Sequence, residues 1–256
     1  MAKSTSNPLS LATLPILGQP LSPVRGILFD KDGTLIDFNS AWIPAGIETA
    51  KQLCTLAKLP QCLEDLLAAA GYQGNSLSAS SKWACGTTRG LLTHWIETLG
   101  LQGRDGLLEE CLQFMTEAAQ KHSEPVTDLP LLFDELRTQG CQLGVATMDL
   151  EQSATTILER FGAREAIDFV CGCDSGYGLK PGPGMALAFC ATCGLQPDEI
   201  LVIGDTPHDL QMGRAAGAGR VVAVASGFSG RDQLELEADY LLESISQLPA
   251  LLDRLL

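Results

Sequence analysis

Basic residues are scarce in this chain: 17 Lys and Arg stand against 31 Asp and Glu, a formal charge of −14. That balance excludes a nucleic-acid partner, because counterion release needs clustered Lys and Arg. It argues equally against docking on an anionic membrane surface. A phosphate substrate stays open, since its binding depends on the local field and on metal rather than on total charge. Long apolar runs are also missing, and no stretch is long and apolar enough to span a bilayer. Internal repeats and low-complexity tracts are absent. What remains, 45% apolar and 19% charged over 256 residues, is ordinary for a soluble globular protein of one large domain or two modest ones.

Residues 1–23 carry a single lysine, and Pro8, Pro15 and Pro20 interrupt their apolar run. That is a poor match to a secretory signal and reads as an N-terminal arm, flexible or loosely docked. Nine cysteines in an unsecreted chain read as reduced thiols of a cytoplasmic enzyme. Cys171-Gly-Cys173 and Cys190-Ala-Thr-Cys193 invite a structural zinc site. Core packing accounts for them better, because Cys171 ends a predicted strand and Cys190 and Cys193 share an apolar helix.

Apolar runs alternate with helical periodicity through the second half, the βαβ pattern of a parallel sheet. Strands are predicted at about 25–30, 142–147, 168–172, 200–204, 220–225 and 239–241. Helices are predicted at about 129–139, 150–161 and 183–193, with Gly140, Gly162 and Gly194 as their C-terminal stops. Between the first two strands lie more than a hundred residues without a convincing strand. Helical patterns fall near 41–58, 62–70, 89–99 and 106–122. A parallel crossover needs only one helix, so four imply an inserted unit. The fold class is therefore α/β, a Rossmann-like parallel sheet with an inserted all-helical unit. The expected divisions are an arm at 1–23, a core at 24–37 and 126–256, and the insertion at 38–125.

The most informative segment is Phe29-Asp30-Lys31-Asp32-Gly33-Thr34, directly after an apolar run from Val24. Two carboxylates thus sit near the carboxyl end of a strand, where open α/β sheets place ligands. Side chains two apart on an extended segment point the same way, so Asp30 and Asp32 can face one small site, with Lys31 pointing away and without a chemical role. Two like charges that close need a cation or proton between them, and a hard divalent cation with oxygen ligands would supply it. Three further segments carry reactive side chains at strand ends or helix entrances. They are Leu143-Gly-Val-Ala-Thr147, Leu179-Lys180-Pro181-Gly-Pro183 and Ile200-Leu-Val-Ile-Gly204-Asp205-Thr-Pro-His208-Asp209.

These four segments, in this order, resemble the four motifs of the haloacid dehalogenase-like hydrolase superfamily, over about Val24 to Tyr240. The placement of the insertion is most similar to the phosphoglycolate phosphatase-like group, whose helical cap follows the first motif. The resemblance implies a phosphatase that hydrolyses a small phosphorylated metabolite through an aspartyl-phosphate. Asp30 would be the nucleophile and Asp32 the general acid and then base. Thr147 and Lys180 would hold the phosphoryl group. Mg²⁺ would sit on Asp30, Asp205 and the backbone carbonyl of Asp32, with Asp209 behind them, binding through water or orienting Lys180. A second aspartate at position 32 separates this pattern from the dehalogenating branch, which works without that residue and without metal.

In the insertion, Gly86-Thr87-Thr88-Arg89 could place donors and a cation over a substrate, and Trp42 could line the pocket or simply pack. His208 could approach the metal or lie in solvent; His94 and His122 read as surface or packing residues. The same fold leaves a phosphosugar mutase open, although Gly204 stands where such mutases tend to carry Glu. It also leaves a phosphonatase, for which Lys51, Lys58 or Lys82 would supply the Schiff base, or a catalytically silent binding module. A monomer and a homodimer are both compatible with the sequence.

Overall fold

The computed structural model describes residues 23–74, 77, 83, 87–227 and 229–255. The arm expected at the N-terminus therefore lies outside the described residues except for Pro23, and so do Lys82 and Gly86. The chain divides into two compact units. One takes the chain up to Asp37 and again from Pro125 onward, and the other is Phe38–Glu124.

The first unit opens with β1 (Gly26–Phe29). The second unit follows, with helices α1 (Phe38–Leu56), α2 (Leu63–Ala69), α3 (Thr88–Thr98) and α4 (Leu107–His122). Its core is aliphatic and aromatic: Leu53, Leu92 and Met115 are buried, and Trp83 meets Trp95 edge-on with ring centroids 5.4 Å apart. α1 packs along α4, and Glu48 bonds His122 between them at 2.8 Å. Trp42 is buried on α1 and stacks on Phe38.

The chain then returns to the first unit through α5 (Leu129–Thr138), β2 (Gln142–Ala146), α6 (Glu151–Arg160), β3 (Phe169–Cys171), α7 (Gly184–Cys193), β4 (Ile200–Gly204), α8 (Pro207–Ala216), β5 (Arg220–Val224), α9 (Arg231–Glu235), β6 (Tyr240–Leu242) and α10 (Leu248–Leu255). All six strands are parallel, in the order β3-β2-β1-β4-β5-β6. Every residue of β1, β4 and β5 is buried, which is why these strands read as unbroken apolar runs rather than as alternations.

Successive strand side chains face opposite layers, and β1 shows both. Leu28 joins a core with Met185 and Phe189 of α7 and Leu210 of α8, whereas Phe29 meets Phe133 of α5 at 5.5 Å. The strand order turns at β1, since the chain continues to β2 on one side and β4 on the other. Phe29 is level with Val145 and with Ile203, so the residues that follow these three strands emerge at one height. At the other end of the excursion, Ile36 pairs antiparallel with Pro125, and the Val126 N–H donates to the Leu35 carbonyl at 3.0 Å. The chain thus leaves and re-enters the first unit through neighbouring backbone segments.

Candidate active site

Three segments at the carboxyl end of the sheet supply the charged cluster. Asp30 follows β1, its N–H continuing the ladder to the Ile203 carbonyl at 2.9 Å. Asp205 follows β4 directly, and Lys180 lies between β3 and α7. Asp209 sits in the first turn of α8, where Thr206 caps the helix. The carboxylate oxygens of Asp30, Asp205 and Asp209 gather within 4.8 Å of one another, and all three residues are buried. Lys180 Nζ reaches into this cluster, donating to Asp30 Oδ1 at 2.5 Å and to Asp209 Oδ1 at 2.6 Å.

Two of the carboxylates are held by the segments around them. The Asp209 Oδ2 accepts from the Thr206 N–H at 3.0 Å and from the Thr206 hydroxyl at 2.6 Å, a reciprocal cap that leaves Oδ1 for Lys180. Asp205 is walled in by two glycines. Gly33 turns the chain at φ +88°, a conformation that disfavours any side chain, and a Cβ there would lie 2.5 Å from Asp205 Oδ2. A Cβ on Gly227, after β5, would lie 2.0 Å from the same oxygen. The Ser226 hydroxyl ties this second wall to the Gly33 carbonyl at 2.8 Å.

Burial is expensive for charged groups, and it shapes the electrostatics here. It pushes the Asp30 carboxyl up to about 7; Lys180 pulls the other way, and the carboxylates of Asp209 and Asp32 add to the rise. Burial likewise opposes the charge on Lys180, but Asp209 and Asp30 outweigh it and hold the ammonium above the usual lysine range. Three buried carboxylates against one buried ammonium leave an excess of negative charge. A small, hard divalent cation is the species that such an all-oxygen donor set suits.

Asp32 does not join the carboxylate cluster. Its side chain turns to Lys31, whose ammonium lies 2.9 Å from Oδ1 and 2.7 Å from Oδ2. The expectation that Lys31 points away from Asp32 is thus corrected. The chain is no longer extended there, because the Leu35 and Ile36 N–H groups both fold back onto the Lys31 carbonyl, at 2.8 and 2.9 Å. Thr147 is buried just beyond β2, its hydroxyl accepting from the Asp149 N–H at 3.1 Å. Asp149 in turn holds Lys31 at 3.0 Å. Sequence reasoning passed over Asp149 and Gly227. Asp149 has a sequence signal, being a carboxylate two residues after Thr147 at a helix entrance. Gly227 has none that sets it apart from any other loop glycine.

Thr87 caps α3, accepting from the Gly90 N–H at 3.0 Å, and Arg89 forms an exposed pair with Glu109 at 3.2 Å, of a kind worth little to stability. His208 is exposed on α8. Cys171 and Cys190 are buried among the core side chains, and burial pushes the Cys171 thiol up to about 12.

A family model described as haloacid dehalogenase-like hydrolase matches residues 24–217. The chain belongs to that family. A phosphoglycolate phosphatase from Aquifex aeolicus is 26% identical to it over 90% of this chain and 97% of its own length. A pyrophosphatase, PpaX, from Bacillus velezensis is 29% identical over 88% and 94%. The fold is shared with a HAD-superfamily hydrolase of subfamily IA from Geobacter sulfurreducens, at a TM-score of 0.64 and 19% identity, covering 90% of this chain and 96% of that one. No helix among the described residues is long and apolar enough to cross a membrane.

Proposed function

We propose that this HAD-like hydrolase is a Mg²⁺-dependent phosphatase that hydrolyses a small phosphate monoester through an aspartyl-phosphate on Asp30. The observation that carries this reading is the buried cluster of Asp30, Asp205 and Asp209 around Lys180 at the turning point of the sheet. The cation would be held by the Asp30 and Asp205 carboxylates and, as the resemblance implies, by the Asp32 carbonyl. Once bound, it would screen the repulsion between nucleophile and phosphate and stabilise developing charge.

The protein groups divide the rest of the work. An Asp30 oxygen attacks phosphorus and forms the new P–O bond as the ester P–O bond breaks, and the Asp32 carboxyl gives its proton to the departing oxygen. Water then attacks phosphorus, Asp32 takes its proton, and the Asp30–phosphorus bond breaks to release phosphate and restore the carboxylate. Thr147 and Lys180 hold the phosphoryl oxygens through a hydroxyl, a backbone N–H and an ammonium. Asp209 aims Lys180. The helical unit Phe38–Glu124 serves as the cap that selects the leaving group, with Thr87 and Arg89 as its candidate contacts. The free cysteines support the reading of a cytoplasmic enzyme, acting on a soluble metabolite.

A phosphosugar mutase fits less well. A Cβ at Gly204 would lie 2.3 Å from the Asp209 Cβ, so the Glu that such mutases carry has no room there. The test is phosphate release from an aryl phosphate with Mg²⁺, then with excess chelator, in the wild type and in Asp30→Asn. Turnover is expected to need the metal and to vanish in the variant. Full turnover by Asp30→Asn would refute the assignment.

A further inference from the structure

Lys31 occupies the middle of the first motif, and none of the chemistry above uses it. It is only 4% exposed, whereas lysine is almost never buried unless paired. Its ammonium is shared between both oxygens of Asp32, at 2.9 and 2.7 Å, and Asp149 Oδ2, at 3.0 Å. Burial works against that charge, but the two carboxylates outweigh it and keep the ammonium above the usual lysine range.

Asp149 is itself fixed at every polar atom. Its Oδ1 accepts from the Leu150 N–H at 2.8 Å and its Oδ2 from the Ser153 hydroxyl at 2.7 Å. Its N–H donates to Thr147 Oγ1 at 3.1 Å, and its carbonyl accepts from the Cys173 N–H at 2.9 Å. The ammonium therefore joins the loop after β1 to a rigid loop after β2. A carboxylate at the end of a turn would otherwise choose among several rotamers, and catalytic groups need their geometry held to within a fraction of an ångström.

We propose that Lys31 is a positioning residue: its ammonium, shared between Asp32 and Asp149, fixes the Asp32 carboxyl group in one orientation relative to Asp30 and the Thr147 loop. The inference rests on the phosphatase reading and deepens it by naming what aims the acid–base group. Its consequence is selective. The proton that Asp32 delivers matters most when the departing oxygen is basic, and least for a nitrophenolate that leaves readily by itself. A misaimed Asp32 slows esters of basic alcohols more than activated ones, whereas a general loosening of the fold slows all of them alike.

The experiment compares kcat/KM for 4-nitrophenyl and phenyl phosphate in the wild type, Lys31→Met, Lys31→Arg and Asp149→Asn. In Lys31→Met the ratio of the two rates is expected to move about tenfold or more against phenyl phosphate, a modest share of what general acid catalysis supplies. Lys31→Arg recovers part of the ratio, and Asp149→Asn falls between it and Lys31→Met. If Lys31→Met does not fold, because two carboxylates then face each other without a cation, Lys31→Met/Asp149→Asn removes one charge and carries the same comparison. Equal losses on the two esters, or no loss on either, overturn the positioning role while leaving the phosphatase reading intact. A wild type that hydrolyses neither ester overturns both.

Discussion

Replacing Gly227 by alanine perturbs the site through a single methyl group. The φ of Gly227 lies outside the left-handed region, so the backbone accepts alanine and only the new Cβ acts. That atom would stand 2.0 Å from Asp205 Oδ2, 2.2 Å from Cγ and 2.3 Å from Cβ. Ordinary contact begins near 3.4 Å, so the carboxylate has to move by more than an ångström. On its other side it meets Gly33. Overpacking of this kind costs about 1–3 kcal/mol. If that strain is relieved by moving Asp205 and is restored when the carboxylate returns to hold Mg²⁺, affinity for the ion falls roughly 5- to 150-fold. Where the strain is kept instead, the melting temperature falls by about 2–12 °C, at 2–4 °C per kcal/mol for a domain of this size. Thermal melts of chelated protein, repeated across a Mg²⁺ titration, read both effects. Gly230→Ala is the matched control three residues on, with φ −63° and nothing within 4 Å of the new atom, and should stay within about 0.5 kcal/mol of wild type. A Gly227→Ala protein that melts and binds Mg²⁺ like the control would show that this glycine does not hold Asp205 in place.

Lys180→Met removes the ammonium from between Asp30 and Asp209 and leaves two buried carboxylates uncompensated. Breaking a buried pair this way costs about 3–5 kcal/mol, a fall of roughly 6–20 °C in the melting temperature of chelated protein, part of which Mg²⁺ should recover. A fall under about 2 °C contradicts the pairing. Mg²⁺ binding should also depend on pH. The Asp30 carboxyl is pushed up to about 7, so the metal-free protein holds a proton there at lower pH, and the ion must displace it. Affinity therefore rises by up to about one log unit per pH unit toward neutrality and levels off above. Calorimetry in buffers of different ionisation heat counts the released proton, and a flat profile below pH 7 contradicts the shift.

Most of the sheet was legible in the sequence because a parallel strand is buried on both faces and reads as an apolar run. Ile200–Gly204 lies where it was predicted, and every other strand lies within one residue of its expected ends. Asp30, Asp205 and Lys180 could be found because each follows such a run or enters a helix. The partner of Lys31 could not. Its direction was inferred from strand alternation, which fails where the chain folds into the Gly33 turn, and Asp149 meets it across two neighbouring strands. Gly227 was equally hidden, since only the approach of Asp205 distinguishes it from a glycine that merely turns a loop. The Asp209 cap was half visible: Thr206 and Asp209 have the spacing of a helix start, but the oxygen left over for Lys180 follows only from the bonds made by the other one.

Ile36 and Pro125 lie side by side where the chain departs and rejoins. An antiparallel pair of that kind can be closed by a tight hairpin connection of two residues. Replacing everything from Phe38 to Glu124 by one residue after Asp37 would leave such a connection and require no strand to be re-threaded, and inserts of other sizes could be grafted at the same junction. On the proposed reading, leaving-group selection and bond-breaking chemistry would be separable parts of one polypeptide: the first interchangeable, the second anchored in the sheet.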